Sequence, residues 1–126
     1  MTHTVFKLVD RASWEAAASS GTFDGSAADA RDGFIHFSTA EQVGETAARH
    51  FAGQADLLLV AVAAASLGDA LRWEPSRGGA LFPHLYAPLP FRAVRWVADV
   101  GLDASGRHVF PDLSPDFGRP DEPATT

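Results

Sequence analysis

Leu57-Leu58-Leu59-Val60-Ala61-Val62 is an unbroken apolar run near the middle of the chain. Strands that are covered on both faces have this continuous pattern, whereas strands with one face in water alternate apolar and polar residues. The run therefore predicts the central strand of a sheet. Even when it is extended to Ala65, the apolar stretch is far too short to cross a bilayer as a helix.

Three other segments predict strands that pair with this run. Residues 5–9 are rich in β-branched and aromatic side chains, which favours an opening strand. Residues 91–100 alternate, with Val94 and Trp96 expected on one side and Arg95 on the other, as in a half-buried strand. Residues 108–110 follow a turn and are expected to pair back as a hairpin.

Two helices are expected to accompany the sheet. Asp10 or Ser13 can cap the first, which should end near Ser20, and a loop is expected over residues 21–32. The aspartates of that loop are interpreted as turn formers. They are Asp24, Asp29 and Asp32.

A second strand, over residues 33–37, precedes the second helix. Ser38-Thr39-Ala40-Glu41 has the spacing of a capping box, so this helix is expected to begin at Thr39 and to end at Gly53. Residues 70–74 predict a further short strand. Three prolines then exclude long regular structure, at positions 83, 88 and 90.

Composition limits the function. The 126 residues are 46% apolar, enough for one domain, which we place at residues 1–111, with a loose tail over residues 112–126. Because the chain has no cysteine, thiol catalysis and thiolate metal sites are excluded. Its net charge of -6 disfavours general nucleic-acid binding. The start shows no apolar leader segment, so a cytoplasmic protein is expected.

Residues 72–86 are the strongest candidate for a site because they gather a carboxylate, an imidazole, a phenol and guanidinium groups. Glu74 follows Trp73, whose indole could exclude water and raise the carboxyl pKa toward use as a general base. An ion pair of Glu74 with Arg72 or Arg77 is the alternative interpretation. The glycines after Arg77 would suit an anion, although the spacing matches no established phosphate motif.

A second candidate segment carries His36 and Ser38, which alternation places on one face of a strand with Phe34. A ligand-binding face and a buried, hydrogen-bonded histidine beside a helix cap explain this pattern equally well. The five histidines show no metal-binding spacing, so no metal is expected.

Three motifs in this order resemble the bacterial domain-of-unknown-function 952 family over roughly residues 4–100. They are Asp32-Gly33-Phe34-Ile35-His36-Phe37-Ser38, Trp73-Glu74-Pro75-Ser76-Arg77 followed by glycine, and Phe82-Pro83-His84-Leu85-Tyr86. The resemblance implies an ADP-ribosyltransferase-like α+β fold of mostly antiparallel split sheets with two helices packed against them. Ile35-His36-Phe37-Ser38 is also similar to a strand of NAD-dependent RNA 2'-phosphotransferases, which carry His-Gly-Thr where this chain has Lys7-Leu8-Val9.

These similarities imply a cleft for NAD, ADP-ribose or another nucleotide-like ligand, although the sequence establishes no cofactor. Glu74 and His36 are the catalytic candidates for an ADP-ribosyl-transfer type of activity. The ligand-binding candidates are Ser38, Arg72, Ser76, Arg77, His84 and Tyr86. A non-catalytic binding or regulatory module is the alternative, since the first strand lacks the usual NAD-gripping histidine, and a purely structural Arg72-Glu74-Arg77 network is a third interpretation.

Overall fold

The computed structural model describes residues 4–113, apart from the side chain of Arg77. The strands are β1 (Thr4–Asp10), β2 (Thr22–Phe23), β3 (Ile35–His36), β4 (Leu57–Ala63), β5 (Leu71–Pro75), β6 (Leu81–Leu85), β7 (Leu89–Pro90), β8 (Val94–Leu102) and β9 (His108–Val109). The α-helices are α1 (Arg11–Ala17), α2 (Ala27–Asp32) and α3 (Val43–His50). Short 3₁₀ segments cover Ala64–Ala70, Arg77–Gly79 and Phe91–Ala93.

The central position of β4 confirms the prediction from its apolar sequence. The main sheet has the order β1-β4-β8-β9, and all its neighbours are antiparallel. From Leu57 to Val62 every residue is buried, because both faces of β4 are covered. The expected opening strand and the hairpin of β8 with β9 are present as well.

A second sheet, of order β3-β6-β5, packs against one face of the main sheet. Its apolar residues Ile35, Phe37 and Leu85 share a buried cluster with Val9 and Val60 of the main sheet. The two sheets also meet at one bridge, where the backbones of Phe6 and Ser38 exchange two hydrogen bonds of 2.8 Å. The class is therefore α+β with antiparallel sheets.

Helix α3 covers the opposite face of the main sheet. Its residues Val43 and Ala47, four apart and so on one side of the helix, pack with Leu59 and Trp96. Val94 does not share the side of Trp96, because the register of β8 shifts opposite Ala61 and Val62. Such a bulge changes the side to which the following residues point, so Val94 packs in the cluster between the sheets.

The prediction of a loop over residues 21–32 was wrong, since β2 and α2 lie there. Ser26 and Asp29 form the capping box of α2: the Ser26 hydroxyl accepts from the Asp29 amide, and the Asp29 carboxylate accepts from the Ser26 amide. Gly33 ends the helix at a φ of 89°. The signal for a helix was therefore present in this short segment.

The capping box predicted at residues 38–41 does not form, and the predicted helix start at Thr39 was wrong. The backbone of Ser38 is occupied by its bridge to Phe6, so it cannot serve as a helix cap. Helix α3 begins at Val43, and the Gln42 side chain accepts the Thr39 amide at 3.0 Å. Tertiary pairing thus displaced the helix start by four residues. Of the expected tail at 112–126, residues 114–126 lie outside the described part of the chain.

Candidate functional site

One face of the second sheet carries most of the residues that the sequence singled out. Side chains alternate along a strand, so the residues that flank the core-facing Ile35 and Leu85 point the other way. His84 stands directly opposite His36 on one side and Arg72 on the other. We call this surface the imidazole face. It comprises Phe34, His36, Arg72, Glu74, His84 and Tyr86.

Glu74 accepts hydrogen bonds from two neighbours on this face. The Nδ1 atom of His84 lies 2.8 Å from its Oε1, and the hydroxyl of Tyr86 donates to the same oxygen at 2.8 Å. These hydrogen bonds hold the pKa of the Glu74 carboxyl below its ordinary value, and the bond to Glu74 raises the pKa of Tyr86. The expected raised pKa of Glu74 was therefore wrong. Trp73, expected to exclude water there, lies on the opposite face of β5 and is 41% exposed.

His36 belongs to a second network, centred on Asp29. Its Nδ1 lies 2.6 Å from Asp29 Oδ1, and its Nε2 lies 2.9 Å from Asp32 Oδ2. Asp29 is 2% exposed and also accepts from the Nζ of Lys7 at 2.8 and 3.0 Å. Because Lys7 is itself 5% exposed, this is a buried ion pair. It joins the first strand to helix α2 and to the imidazole face.

The charges of this network depend on each other. Burial alone would raise the pKa of Asp29, but the hydrogen bond to His36 and the charge of Lys7 outweigh it and hold that pKa well below its usual range. Burial lowers the pKa of the Lys7 ammonium, against the opposing effect of Asp29. Gly25 allows the close approach: at its φ of 109° an added Cβ would lie 2.8 Å from the Asp29 Cβ.

Phe34 connects the two networks. Its ring stacks on His84 with centroids 4.1 Å apart and an interplanar angle of 25°. It also lies 4.6 Å from the His36 ring and 5.2 Å from Tyr86. The Arg72 guanidinium sits 4.9 Å from the centroid of the Tyr86 ring, a cation–π distance. The two imidazoles are 5.6 Å apart, edge to face.

A groove of about 270 Å³ runs along the edge of the imidazole face. Two aromatic residues, Phe34 and Tyr86, line it together with Asp24, Asp29, Ala87 and Pro88. The Asp29 carboxylate is already paired with the buried Lys7. The groove therefore offers aromatic surface next to the acidic residue Asp24.

The other residues predicted for the site have different surroundings from those that the sequence suggested. The Ser38 hydroxyl is 3.0 Å from that of Thr46 on helix α3. Ser76 belongs to the turn between β5 and β6, where its amide donates to Ala80 and its carbonyl accepts from Gly79. The side chain of Arg77 lies outside the described part of the structure. Arg72 contacts Tyr86 rather than a carboxylate.

Sequence reasoning missed the contributions of Lys7, Asp29 and Asp32. Lys7 was noticed only as a departure from a related motif, and the aspartates were interpreted as turn formers. The Ser26-to-Asp29 capping spacing could have placed Asp29 on a helix. A lysine in an apolar strand also indicates a buried partner. Nothing in the sequence predicts that Lys7 and Asp29, which are 22 residues apart, form an ion pair.

Two negative findings apply to residues 4–113. They contain no cluster of three or more histidine, aspartate or glutamate side chains placed to hold a metal ion. No helix among them is long and apolar enough to cross a membrane.

Comparison with known proteins gives one family and one set of structures. The family model described as "Protein of unknown function (DUF952)" matches residues 8–97. The crystal structure of protein CC0527 from Caulobacter crescentus is 54% identical, with a TM-score of 0.81 over 84% of this chain and 93% of that one. The solution NMR structure of CC0527 is 55% identical, with a TM-score of 0.75 over 82% and 90%. No curated protein matches.

Proposed function

The chain belongs to the DUF952 family of proteins of unknown function, and from its imidazole face we propose that it binds a nucleotide-like ligand, NAD or ADP-ribose being the first candidates. The observation that carries this proposal is a groove lined by Phe34 and Tyr86, with Glu74 and Arg72 both in contact with Tyr86. Ligand sites commonly combine such aromatic surface with a few fixed polar groups. The ADP-ribosyltransferase-like relationship implied by the sequence motifs is part of the same proposal.

The groove suits a planar cationic ring. Phe34 and Tyr86 supply aromatic surface, and Asp24 places negative charge beside it. A positively charged aromatic ring gains from both features, because ring faces attract cations and carboxylates neutralise them. The nicotinamide of NAD is such a ring. A volume of about 270 Å³ suits a ring with its sugar rather than a whole dinucleotide.

The rest of such a ligand would extend over the exposed part of the imidazole face. Arg72 lies there with its guanidinium held over Tyr86, and guanidinium groups bind phosphate oxygens in a bidentate manner. Glu74 is partly exposed beside it, and its carboxylate oxygens can accept from ribose hydroxyls. This arrangement supports a ligand with a ring, a sugar and a phosphate.

Isothermal calorimetry with NAD and with ADP-ribose tests the proposal. We expect binding to the wild-type protein and a loss of roughly tenfold or more in affinity for Tyr86→Ala, since stacking on an aromatic side chain contributes about 1–3 kcal/mol. Arg72→Gln should weaken both ligands. Arg107→Gln, an arginine-to-glutamine change in the distant turn before β9, is the matched control and should leave affinity unchanged.

The absence of heat and of any thermal shift at millimolar NAD and ADP-ribose would contradict the proposal. An equal loss of ligand affinity in Arg72→Gln and Arg107→Gln would also contradict it, because the overall charge of the protein, rather than Arg72 itself, would then explain the binding.

A further inference from the structure

We propose that His84, through its Nε2 atom, is the proton acceptor of the imidazole face and that Glu74 is its positioning residue. The inference rests on the proposed function, since it describes what the site does to a bound nucleotide-like ligand. It assigns to His84 the proton-accepting role that the sequence favoured for Glu74, and it removes His36 from the catalytic candidates. The substrate class is an N-glycoside of ribose with a cationic base, of which NAD is the test compound.

Both ring nitrogens of His36 lie against carboxylates of its own chain. Its Nδ1 lies 2.6 Å from Asp29 and its Nε2 lies 2.9 Å from Asp32. A carboxylate only accepts hydrogen bonds, so Nδ1 is the donor to Asp29. The Asp29 oxygen that meets Nδ1 also accepts the backbone amide of His36 at 3.1 Å. The ring is therefore held by Asp29 and flanked by Asp32, which leaves less room for a substrate at His36 than at His84.

His84 is held at one nitrogen only. Its Nδ1–H donates to Glu74 at 2.8 Å, which fixes the tautomer and leaves the lone pair on Nε2. Among residues 4–113, the one buried side-chain nitrogen or oxygen without a partner is Thr4 Oγ1. Nε2 of His84 is not such an atom and has no hydrogen-bond partner within that part of the chain, so a small part of it is accessible although the residue is 6% exposed. A ligand on the face can meet it.

The surroundings of His84 fix the orientation of its ring. Phe34 stacks on it at 4.1 Å, and β6 holds it between β3 and β5. Glu74 is fixed in turn, because Tyr86 donates to the same oxygen. A carboxylate that accepts from one imidazole nitrogen orients the other nitrogen as a general base. Glu74 and His84 have this arrangement. Glu74 already accepts two hydrogen bonds, which makes it a poorer proton acceptor than Nε2.

We infer that His84 assists the attack of water on C1' of the nicotinamide ribose. Nε2 of His84 accepts a proton from water as the water oxygen forms a bond to C1' of the nicotinamide ribose. The bond from C1' to the ring nitrogen breaks, and its electron pair leaves with nicotinamide, which becomes neutral. ADP-ribose and a protonated His84 remain, and the proton passes to solvent. Phe34 and Tyr86 hold the leaving ring in the groove.

Nitrogen-15 NMR of the histidine rings tests the geometry without any ligand. In its neutral form, wild-type His84 should carry its hydrogen on Nδ1 and leave Nε2 bare. In Glu74→Gln, the side-chain amide can place a donor against Nδ1, so the hydrogen of His84 should move partly or wholly to Nε2. Glu15→Gln on helix α1 is the matched control and should leave both rings unchanged. A wild-type His84 with its hydrogen on Nε2 would overturn the inference.

Nicotinamide release measured beside NAD binding tests the chemistry. We expect slow release by the wild-type protein and a loss of roughly 100-fold or more in His84→Gln and Glu74→Gln, the range that general acid–base groups supply. Glu74→Gln should still bind NAD, because the glutamine side chain keeps one oxygen that can accept from ribose hydroxyls, so nicotinamide release should fall much more than NAD affinity. Binding without release would overturn the inference alone, and release that Glu74→Gln leaves unchanged would do the same. Absence of NAD binding would overturn the proposed function as well, so the two failures are distinguishable.

Discussion

Asp29→Asn should cost this protein a large part of its stability. The carboxylate accepts hydrogen bonds from Lys7, from the ring and amide of His36, and from the amide of Ser26. An asparagine has one acceptor oxygen in place of two and carries no charge. The substitution therefore leaves a buried ammonium without its counter-charge and at least one donor without an acceptor.

The magnitude follows from burial. Asp29 and Lys7 are 2% and 5% exposed, so water cannot replace the lost partner. Removing one member of a buried ion pair typically costs about 3–5 kcal/mol, against a total stability of about 5–15 kcal/mol for a domain. For a domain of this size the melting temperature should fall by roughly 10–20 °C.

Urea denaturation of the wild-type protein and Asp29→Asn, each at several pH values, measures this cost. The pKa of Asp29 is lower in the folded protein than in the unfolded chain, so its stabilising contribution is fully present above the unfolded value of about 3.9. That contribution is lost as the pH falls through the folded value. The stability gap between the two proteins should therefore be constant near neutral pH and should narrow below about pH 4.

Two results would refute this reasoning. One is a cost below about 1 kcal/mol at pH 7, which would mean that the buried pair contributes no more than an exposed one. The other is simple additivity of Asp29→Asn and Lys7→Met in the double variant. Because the two residues are in contact, the double variant should be more stable than the sum of the single costs predicts, by about 1 kcal/mol or more.

Three further predictions concern backbone conformation, the carboxyl on the imidazole face and the core. Gly25→Ala should destabilise by about 1–3 kcal/mol more than Gly21→Ala in thermal melting, because both have positive φ but only the Cβ at Gly25 meets other atoms; equal costs would contradict this. Tyr86→Phe should raise the pKa of Glu74, measured by carbon-13 NMR titration, because the variant loses one hydrogen bond to that carboxylate. Leu59→Ala should cost about 2–5 kcal/mol in urea denaturation, since Leu59 is 0% exposed between helix α3 and the main sheet; a cost under 1 kcal/mol would show that the core collapses around the cavity.

Local sequence predicted the elements that depend on neighbouring residues. The apolar run of β4, the alternation of β8 from Trp96 to Val100 and the cap of α1 by Asp10, whose side chain accepts from the Ser13 amide at 2.9 Å, agree with the structure. A capping motif formed a helix cap only where its backbone was not paired with another segment. Ser26 caps helix α2, whereas Ser38 forms a bridge with Phe6. Local propensity therefore fails where a long-range hydrogen bond competes for the same residue.

In the candidate site, too, local sequence could place some residues together but could not predict the long-range contacts. Glu74, His84 and Tyr86 lie close in sequence on one hairpin, so alternation could place them together. The partners of the two imidazoles could not be predicted, because they depend on which ring nitrogen each carboxylate meets in the folded chain. Asp29 meets His36 through helix α2, and Lys7 meets Asp29 across 22 residues.

By itself, the sequence determined the apolar β4 strand and the alternation of β8 from Trp96 to Val100, because such patterns depend on neighbouring residues, while the α+β class was implied by the family resemblance. Only the tertiary structure decided that Lys7 is a buried partner of Asp29, that Asp29 and Asp32 flank the ring of His36 and that Glu74 meets Nδ1 of His84. The physical reason is that the charge and hydrogen bonding of a side chain are set by the groups packed against it.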